Sequence, residues 1–358
     1  MKSLLIMMLC CLLVLPARAA PGDVQRFPAK GAATAQLRIH GTTDIEVFAR
    51  VIADYQRLHP GTEVIYEDII TQDLHARFLR TGKGPKGPDL LISSGMDLQT
   101  QLVNDGHALP HQSVWTDAVP AWAQWRHEAY GISYEPVTIV YNTRALPPAR
   151  VPHTRRQLLA LLRGEGAPLR GKVGTYDIER SSVGYLLATQ DAHRGSIAGA
   201  LLGALGDNAV VREERTGVLL DKVSSGELSL AYNVLGSYAQ ARIDAGAPLG
   251  IVEPEDYTLV VLRTAMIPRS SRNPAEARSF LDYLLSPRGQ LVLSREARLM
   301  PIVGAAGRDG TPGRNRRPIQ LGPGLLVYLD ALKRRQFLDA WRSSVEPAGQ
   351  PQAVDVQR

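Results

Sequence analysis

The sequence has only two cysteines, Cys10 and Cys11, and both fall within its first twenty residues. Once that segment is removed, disulfides, thiolate metal sites and cysteine nucleophiles are excluded. An oxidising compartment permits disulfides without demanding them of a chain with a sufficient core. Catalytic motifs are missing as well: there is no Gly-x-Ser-x-Gly elbow, no Walker loop and no His-Glu-x-x-His. The eight histidines show no ligand spacing. His107 and His111 stand four apart, but Pro110 argues against a helix beneath them. The expectation is a protein without metal or cofactor that is not an enzyme. Past the first twenty residues no run reaches about 18 apolar residues, so the mature chain is expected to be soluble. No repeat at solenoid periods is present.

What is present begins with a leader. Lys2 supplies a positive start, residues 4–15 are apolar, Pro16 breaks the run, and Ala17-Arg18-Ala19 has the small-x-small pattern of a cleavage site. A signal peptide over residues 1–19, cleaved after about Ala19, directs the chain to the periplasm. A lipid anchor does not fit, because Leu9 precedes Cys10 where a lipobox wants a small residue. The net charge is +6, and loss of Lys2 and Arg18 leaves +4. The basic residues are scattered, apart from Arg308, Arg314, Arg316 and Arg317. That spread argues against nucleic acid as a partner and favours an anionic ligand. A chain of 358 residues exceeds what one core usually holds, so two lobes are expected.

Residues 36–105 alternate strand and helix. Leu37–His40 alternates like a strand, and helix 44–58 carries Ile45, Phe48, Val51, Ile52 and Tyr55 on one face, with Thr43 and Glu46 as a capping box. Strand 63–67, helix 71–80, strand 89–93 and helix 97–105, closed by Gly106, complete a β-α-β-α-β-α series and imply a mostly parallel sheet. Tract 107–128 breaks the rhythm, and 130–142 is extended chain interrupted by Pro136. A second series follows: helix 155–163 between Thr154 and Gly164, strand 172–175, helices near 183–191, 196–205 and 215–225, strand 228–232 and helix 237–245. Strand 258–262 returns to the first lobe. Asn273 and Glu276 box the start of helix 274–285 around Pro274. Residues 301–323 read as a surface loop, 324–342 as a last helix and 346–358 as a disordered tail. Lobe 1 is expected to comprise 36–128 plus 262–345, and lobe 2 to comprise 132–258, with hinges near 126–134 and 258–264.

Ligands of parallel α/β sheets bind beyond the carboxyl ends of the strands. Four predicted strand-to-helix turns there are short and rich in hydroxyls. They carry Thr42, Thr43 and Asp44; Ser94 and Gly95; Thr175, Tyr176, Ser181 and Ser182; and Asn233 and Tyr238. Any one of them could be an ordinary helix cap. Four together, two from each half, point to a cleft in which helix N-termini and hydroxyls cradle a phosphate or carboxylate. Arg180 stands near the third turn, with Asp177 and Glu179 as rival partners.

The leader, LRIHGTTD, PDLLISSG, YGISYEPVTIVYN, GKVGTYDIERSSVGY and TLVVLRTAMIP occur in an order that resembles the type 2 periplasmic solute-binding proteins of ABC importers, in their iron(III), phosphosugar and phosphonate branch. The resemblance covers about residues 36–300. It implies a two-lobed α/β fold with mixed, mostly parallel sheets flanked by helices and a two-strand hinge. It also implies ligand contacts at Thr42, Thr43, Ser94 and Gly95 in lobe 1, and at Tyr141, Thr175, Ser182, Asn233 and Tyr238 in lobe 2. NPAEARSFLDYLLSPRGQ is similar to the family's lobe-closing helix. Iron-binding members present adjacent tyrosines where this chain has Ser237-Tyr238, which favours an organic anion. The implied partners are a small polar or anionic ligand and an ABC permease of the inner membrane. The tail after Met300 looks like that of a subgroup that reports to a sensor kinase. The rival readings are a kinase accessory, a ferric carrier using Tyr238, Tyr176 or Asp44 with a synergistic anion, and a secreted hydrolase.

Overall fold

The computed structural model describes residues 24–164, 169–304 and 314–346. The expected leader, the middle of the 301–323 loop and the tail from residue 347 lie outside the described residues. The first half runs β1 (Val24–Phe27), β2 (Ala35–Gly41), α1 (Ile45–Leu58), β3 (Thr62–Asp68), α2 (Thr71–Thr81), β4 (Leu90–Ser93), α3 (Met96–Asn104), β5 (Ala108–Leu109) and β6 (Gln124–Trp125). Strand β7 (Ala129–Asn142) leads into α4 (Arg155–Arg163), β8 (Val173–Tyr176), α5 (Ser182–Arg194) and α6 (Ile197–Asp207). Then come β9 (Val211–Glu213), α7 (Thr216–Ser225), β10 (Leu230–Leu235), α8 (Gly236–Asp244) and β11 (Leu249–Val252). The chain returns through β12 (Thr258–Pro268), α9 (Pro274–Leu285), α10 (Pro287–Arg295), β13 (Met300–Pro301) and β14 (Arg316–Pro318). A 3-10 helix over Pro323–Leu329 and α11 (Ala331–Val345) end the described part.

Two sheets share β7, and the strands follow the order β1-β3-β2-β4-β12-β7-β10-β8-β9. β2 pairs in parallel with β3 and β4, and β8 pairs in parallel with β9 and β10. In each lobe the first of the parallel strands, β2 or β8, is therefore flanked by the two parallel strands that follow it. That order leaves a crevice at the carboxyl end of β2 against β4, and of β8 against β10.

Hydrophobic spacing builds the first core. Phe48, Val51, Ile52 and Tyr55 of α1 are fully buried, with Phe280 and Tyr283 of α9 packed on them. Neither expected capping box forms. Thr43 is buried and its hydroxyl accepts from Arg263, while Asn273 turns its amide toward Asp89 at 3.1 Å. Asp89 also accepts from three backbone N–H groups and from Ser271, tying β4 to the entry of α9. Thr154 does cap α4, through Gln157 N at 3.1 Å.

Pro136 does not interrupt β7. Its Cα pairs with Val260 of β12, and from Val137 onward the strand pairs with β10 and β11 instead. A residue without an N–H is tolerated where a strand exchanges partners. The exchange lies after 136, beyond the expected 126–134 hinge, and residues 130–136 belong with the sheet containing β12. The expected helix 274–285 forms as α9, and the rest of NPAEARSFLDYLLSPRGQ, likened to one lobe-closing helix, starts a second one, α10, which Ser286 caps through Gly289 N at 3.1 Å. The last expected helix also breaks: Asp330 caps α11 at Lys333 N, 3.0 Å, so the 3-10 segment precedes it. α11 packs on α6, and Trp341 and Val345 join the core formed by α4, α6 and β10 rather than that of the first half. Part of the expected 301–323 loop is ordered as β14, paired in parallel with β12. No described helix is long and apolar enough to cross a membrane.

Candidate ligand-binding cleft

The carboxyl ends of six strands converge on one cavity of about 310 Å³. β2, β3 and β4 deliver Thr42 and Asp44, Asp68 to Gln72, and Ser94. Across from them β8, β9 and β10 deliver Tyr176 with Arg180 to Val183, Glu214 to Val218, and Leu235 with Tyr238. Each turn opens a helix: α1, α2, α3, α5, α7 and α8. Only α5 is capped by its own N-cap side chain, Ser181 accepting from Gly184 N at 3.2 Å; the N-cap residues of α1, α2, α3, α7 and α8 make no such bond, and the Asp68 carboxylate accepts from the Ile45 N–H at the start of α1. Of the helices remote from the cavity, α4, α10 and α11 carry such caps and α6 and α9 do not. The first N–H groups of a helix need an acceptor, and aligned peptide dipoles leave about half a positive charge there. The cavity is thus a concentration of donors.

Its two walls differ in side-chain charge. The first lobe brings Asp44, Glu46 and Asp68; the second brings Arg180 and Arg215, with Glu214 on Arg180 at 3.1 Å, and Asp221, which pairs with Arg242 outside the cavity. Burial first, then the like charge of Asp44, pushes the Asp68 carboxyl up to about 7, with Arg215 opposing. An unfolded Asp titrates near 3.9, so the folded state binds this proton more tightly. The stability it contributes is full below about pH 4 and is lost as pH rises through about 7. Asp68→Asn is therefore expected to raise the melting temperature at pH 8, by an amount that shrinks steadily toward pH 4. Melting curves across that range check it, and a gain independent of pH would refute it.

Beneath the cavity lies a buried ion pair, Arg263 Nη2 to Glu135 Oε1 at 2.6 Å, with both side chains 1% exposed. Arg263 also donates to Thr43 Oγ1, and Ser237 donates to the other Glu135 oxygen. The Tyr238 hydroxyl sits against the same guanidinium, and burial pushes that phenol up, as it does Tyr176, whose hydroxyl pairs with Thr216. Among the described residues no three His, Cys, Asp or Glu side chains are placed to share a metal ion.

The bacterial extracellular solute-binding protein family matches residues 41–291. This chain belongs to that family. The solute-binding receptor is 31% identical to the substrate-binding protein of an ABC transporter from Agrobacterium tumefaciens, with a TM-score of 0.85 over 92% of this chain and all of that one. It is 27% identical over 289 residues to the phosphoglycerate transport regulatory protein PgtC of Salmonella typhimurium, covering 78% of this chain and 69% of that protein. AfuA of Actinobacillus pleuropneumoniae, solved with fructose-6-phosphate, shares the two-lobed fold at 15% identity and a TM-score of 0.69, over 87% of this chain and 99% of AfuA.

Of the residues singled out by sequence, the receptor brings Thr42, Asp44, Ser94, Tyr176, Ser181, Ser182 and Tyr238 onto the cavity. The others stand behind or away from it. Thr43 is committed to Arg263. Gly95 is buried, and a methyl group there would come within 2.6 Å of the Thr71 side chain, so glycine lets the starts of α2 and α3 meet. Thr175 donates to Tyr232 O at 3.2 Å. Asn233 sits at φ 62° and donates to Asp191 at 2.8 Å, inside the network around buried Arg155. Tyr141 packs over Gly250 of β11 at the far end of β7. Sequence reasoning missed Asp68 to Gln72 and Glu214 to Val218.

Proposed function

We propose that this receptor captures a small hydroxylated anion, a phosphorylated or carboxylated polyol, in the periplasm and delivers it to an ABC permease of the inner membrane. The observation that carries the reading is the convergence of six helix N-termini on one cavity, five of them not capped by their own N-cap side chain. Arg180 and Arg215, beside Ser181 and Ser182, suit the anionic end; Asp44, Glu46 and Asp68 suit hydroxyl donors on the remainder. Thr42, Ser94, Tyr176 and Tyr238 complete the contacts. A ligand touching both walls makes bonds that only the closed form offers, and so shifts the lobes toward closure.

Native mass spectrometry of freshly purified protein identifies the retained solute, and scattering with and without it reports closure. A retained cation without phosphate or carboxylate, or superimposable scattering curves for the free and loaded protein, would defeat the reading. The Salmonella relative is a transport regulatory protein, and that likeness supports a second role, reporting the ligand to a sensor kinase. Capture of the loaded receptor by membranes holding either the permease or the kinase separates the two.

A further inference from the structure

Behind the main cleft lies a second cavity of about 230 Å³, bounded by α2 and α3 of the first lobe, α5 of the second, and the C-terminal segment through Leu329 and Arg334. Gln72 and Ser182 line both cavities, so the second adjoins the first with these two side chains between them. Its polar groups are unusual. Asp97 is 3% exposed, and its Oδ1 has no hydrogen-bond partner among the described residues. The same holds for His75 Nε2 and Ser182 Oγ. Buried polar atoms are nearly always paired, and exceptions call for an explanation. Arg334 does not supply the missing partner: its guanidinium lies over the Tyr185 ring, 4.7 Å from the centroid. The Tyr185 hydroxyl is already donated to Tyr328 O at 2.6 Å.

We propose that this second cavity is a subsite for the hydroxyl-bearing tail of the captured solute, a sugar or polyol chain, while the anionic end stays in the main cleft. The proposal rests on the anion reading above. The donor and acceptor set selects the class. Asp97 Oδ1 accepts, Arg334 only donates, and the Ser182 hydroxyl does both. A second carboxylate would face Asp97, an ammonium group would face Arg334, and an alkyl tail would leave all of them unpaired. A hydroxyl donates to one and accepts from the other. Because the groups come from both lobes and from the C-terminal segment, such a tail also adds closing contacts.

Calorimetric titration of the purified receptor with inorganic phosphate, glycerol 1-phosphate and sorbitol 6-phosphate tests it. Affinity is expected to rise at least tenfold from the glycerol to the sorbitol ester. Asp97→Ala is expected to cut that ratio below threefold, and Arg334→Met, on a partly exposed helix face, to do the same. A ratio near one in the wild type, or a ratio that both variants preserve, shows a merely water-filled cavity and overturns the proposal. Equal losses for all three probes show that the cavity acts on lobe closure and not on the tail, and also overturn it. If no probe binds, phosphate included, the anion reading fails first and the subsite with it; phosphate binding without length dependence defeats the subsite alone.

Discussion

Replacing Arg263 by Met is expected to destabilise the protein by about 3–5 kcal/mol, the usual effect of removing one partner of a buried ion pair. The cost does not come from the lost attraction alone. Arg263 and Glu135 are each 1% exposed, so the substitution strands a carboxylate that water cannot reach. Met fills the aliphatic volume of Arg263 but offers nothing to Glu135 Oε1 or to the Thr43 hydroxyl. Adding Glu135→Gln removes the stranded charge, so the double variant is expected to recover part of the loss. The cycle of four proteins measures the coupling directly. The pair also sits where the halves join. Glu135 precedes the point at which β7 exchanges partners, Thr43 belongs to the first lobe, and Ser237 and Tyr238 belong to the second. Solute affinity should therefore fall with stability. Urea unfolding provides the measurement, and a single variant within about 1 kcal/mol of wild type would show that the pair is not what holds the cleft floor.

Arg263 was visible in the sequence as a lone charge within TLVVLRTAMIP, an otherwise apolar strand, and such a charge has to find a buried partner. Its partner could not be read, since Glu135 lies 128 residues away. The same division between local and distant information runs through the cleft. Thr42 to Asp44, Ser94 and Ser181-Ser182 were legible because short hydroxyl-rich turns follow apolar strands. The turn after β3 begins with Ile69-Ile70, and the one after β9 with Glu214-Arg215, so neither shows that composition. β9 has three residues, too few for a period to emerge. Thr43 and Asn273 carried sound local signatures for capping, but Arg263 and Asp89 offered stronger bonds. Thr175 and Asn233 lie at the right strand ends, yet Thr175 donates to the Tyr232 carbonyl of the neighbouring strand and Asn233 serves the buried polar network around Arg155 and Asp191. Position along a strand showed which end of the sheet matters; only tertiary partners showed which side chains remained available there.

The largest effect on binding is expected from the paired substitution Arg180→Ala and Arg215→Ala. Each hydrogen bond to a charged group contributes about 1.5–3 kcal/mol, so losing both should weaken binding of the retained anion by about 10²–10⁴-fold. Folding should be nearly unaffected. The Arg180 side chain is 70% exposed and its pair with Glu214 is of the kind worth about 0–1 kcal/mol. Loss of affinity without loss of stability separates these positions from Arg263, where both fall. The single variants should not be equal. Arg215 holds the Asp68 carboxyl down, so removing it lets Asp68 keep its proton to higher pH. One positive charge is lost, but part of a negative one disappears with it near neutral pH. Arg180→Ala should therefore be the more damaging single change at pH 7, and the difference should close at pH 9, where Asp68 is ionised in either protein. Titrations with the retained solute at the two pH values decide the matter. A double variant that binds within threefold of wild type would place the anion elsewhere in the cleft, on backbone N–H groups alone.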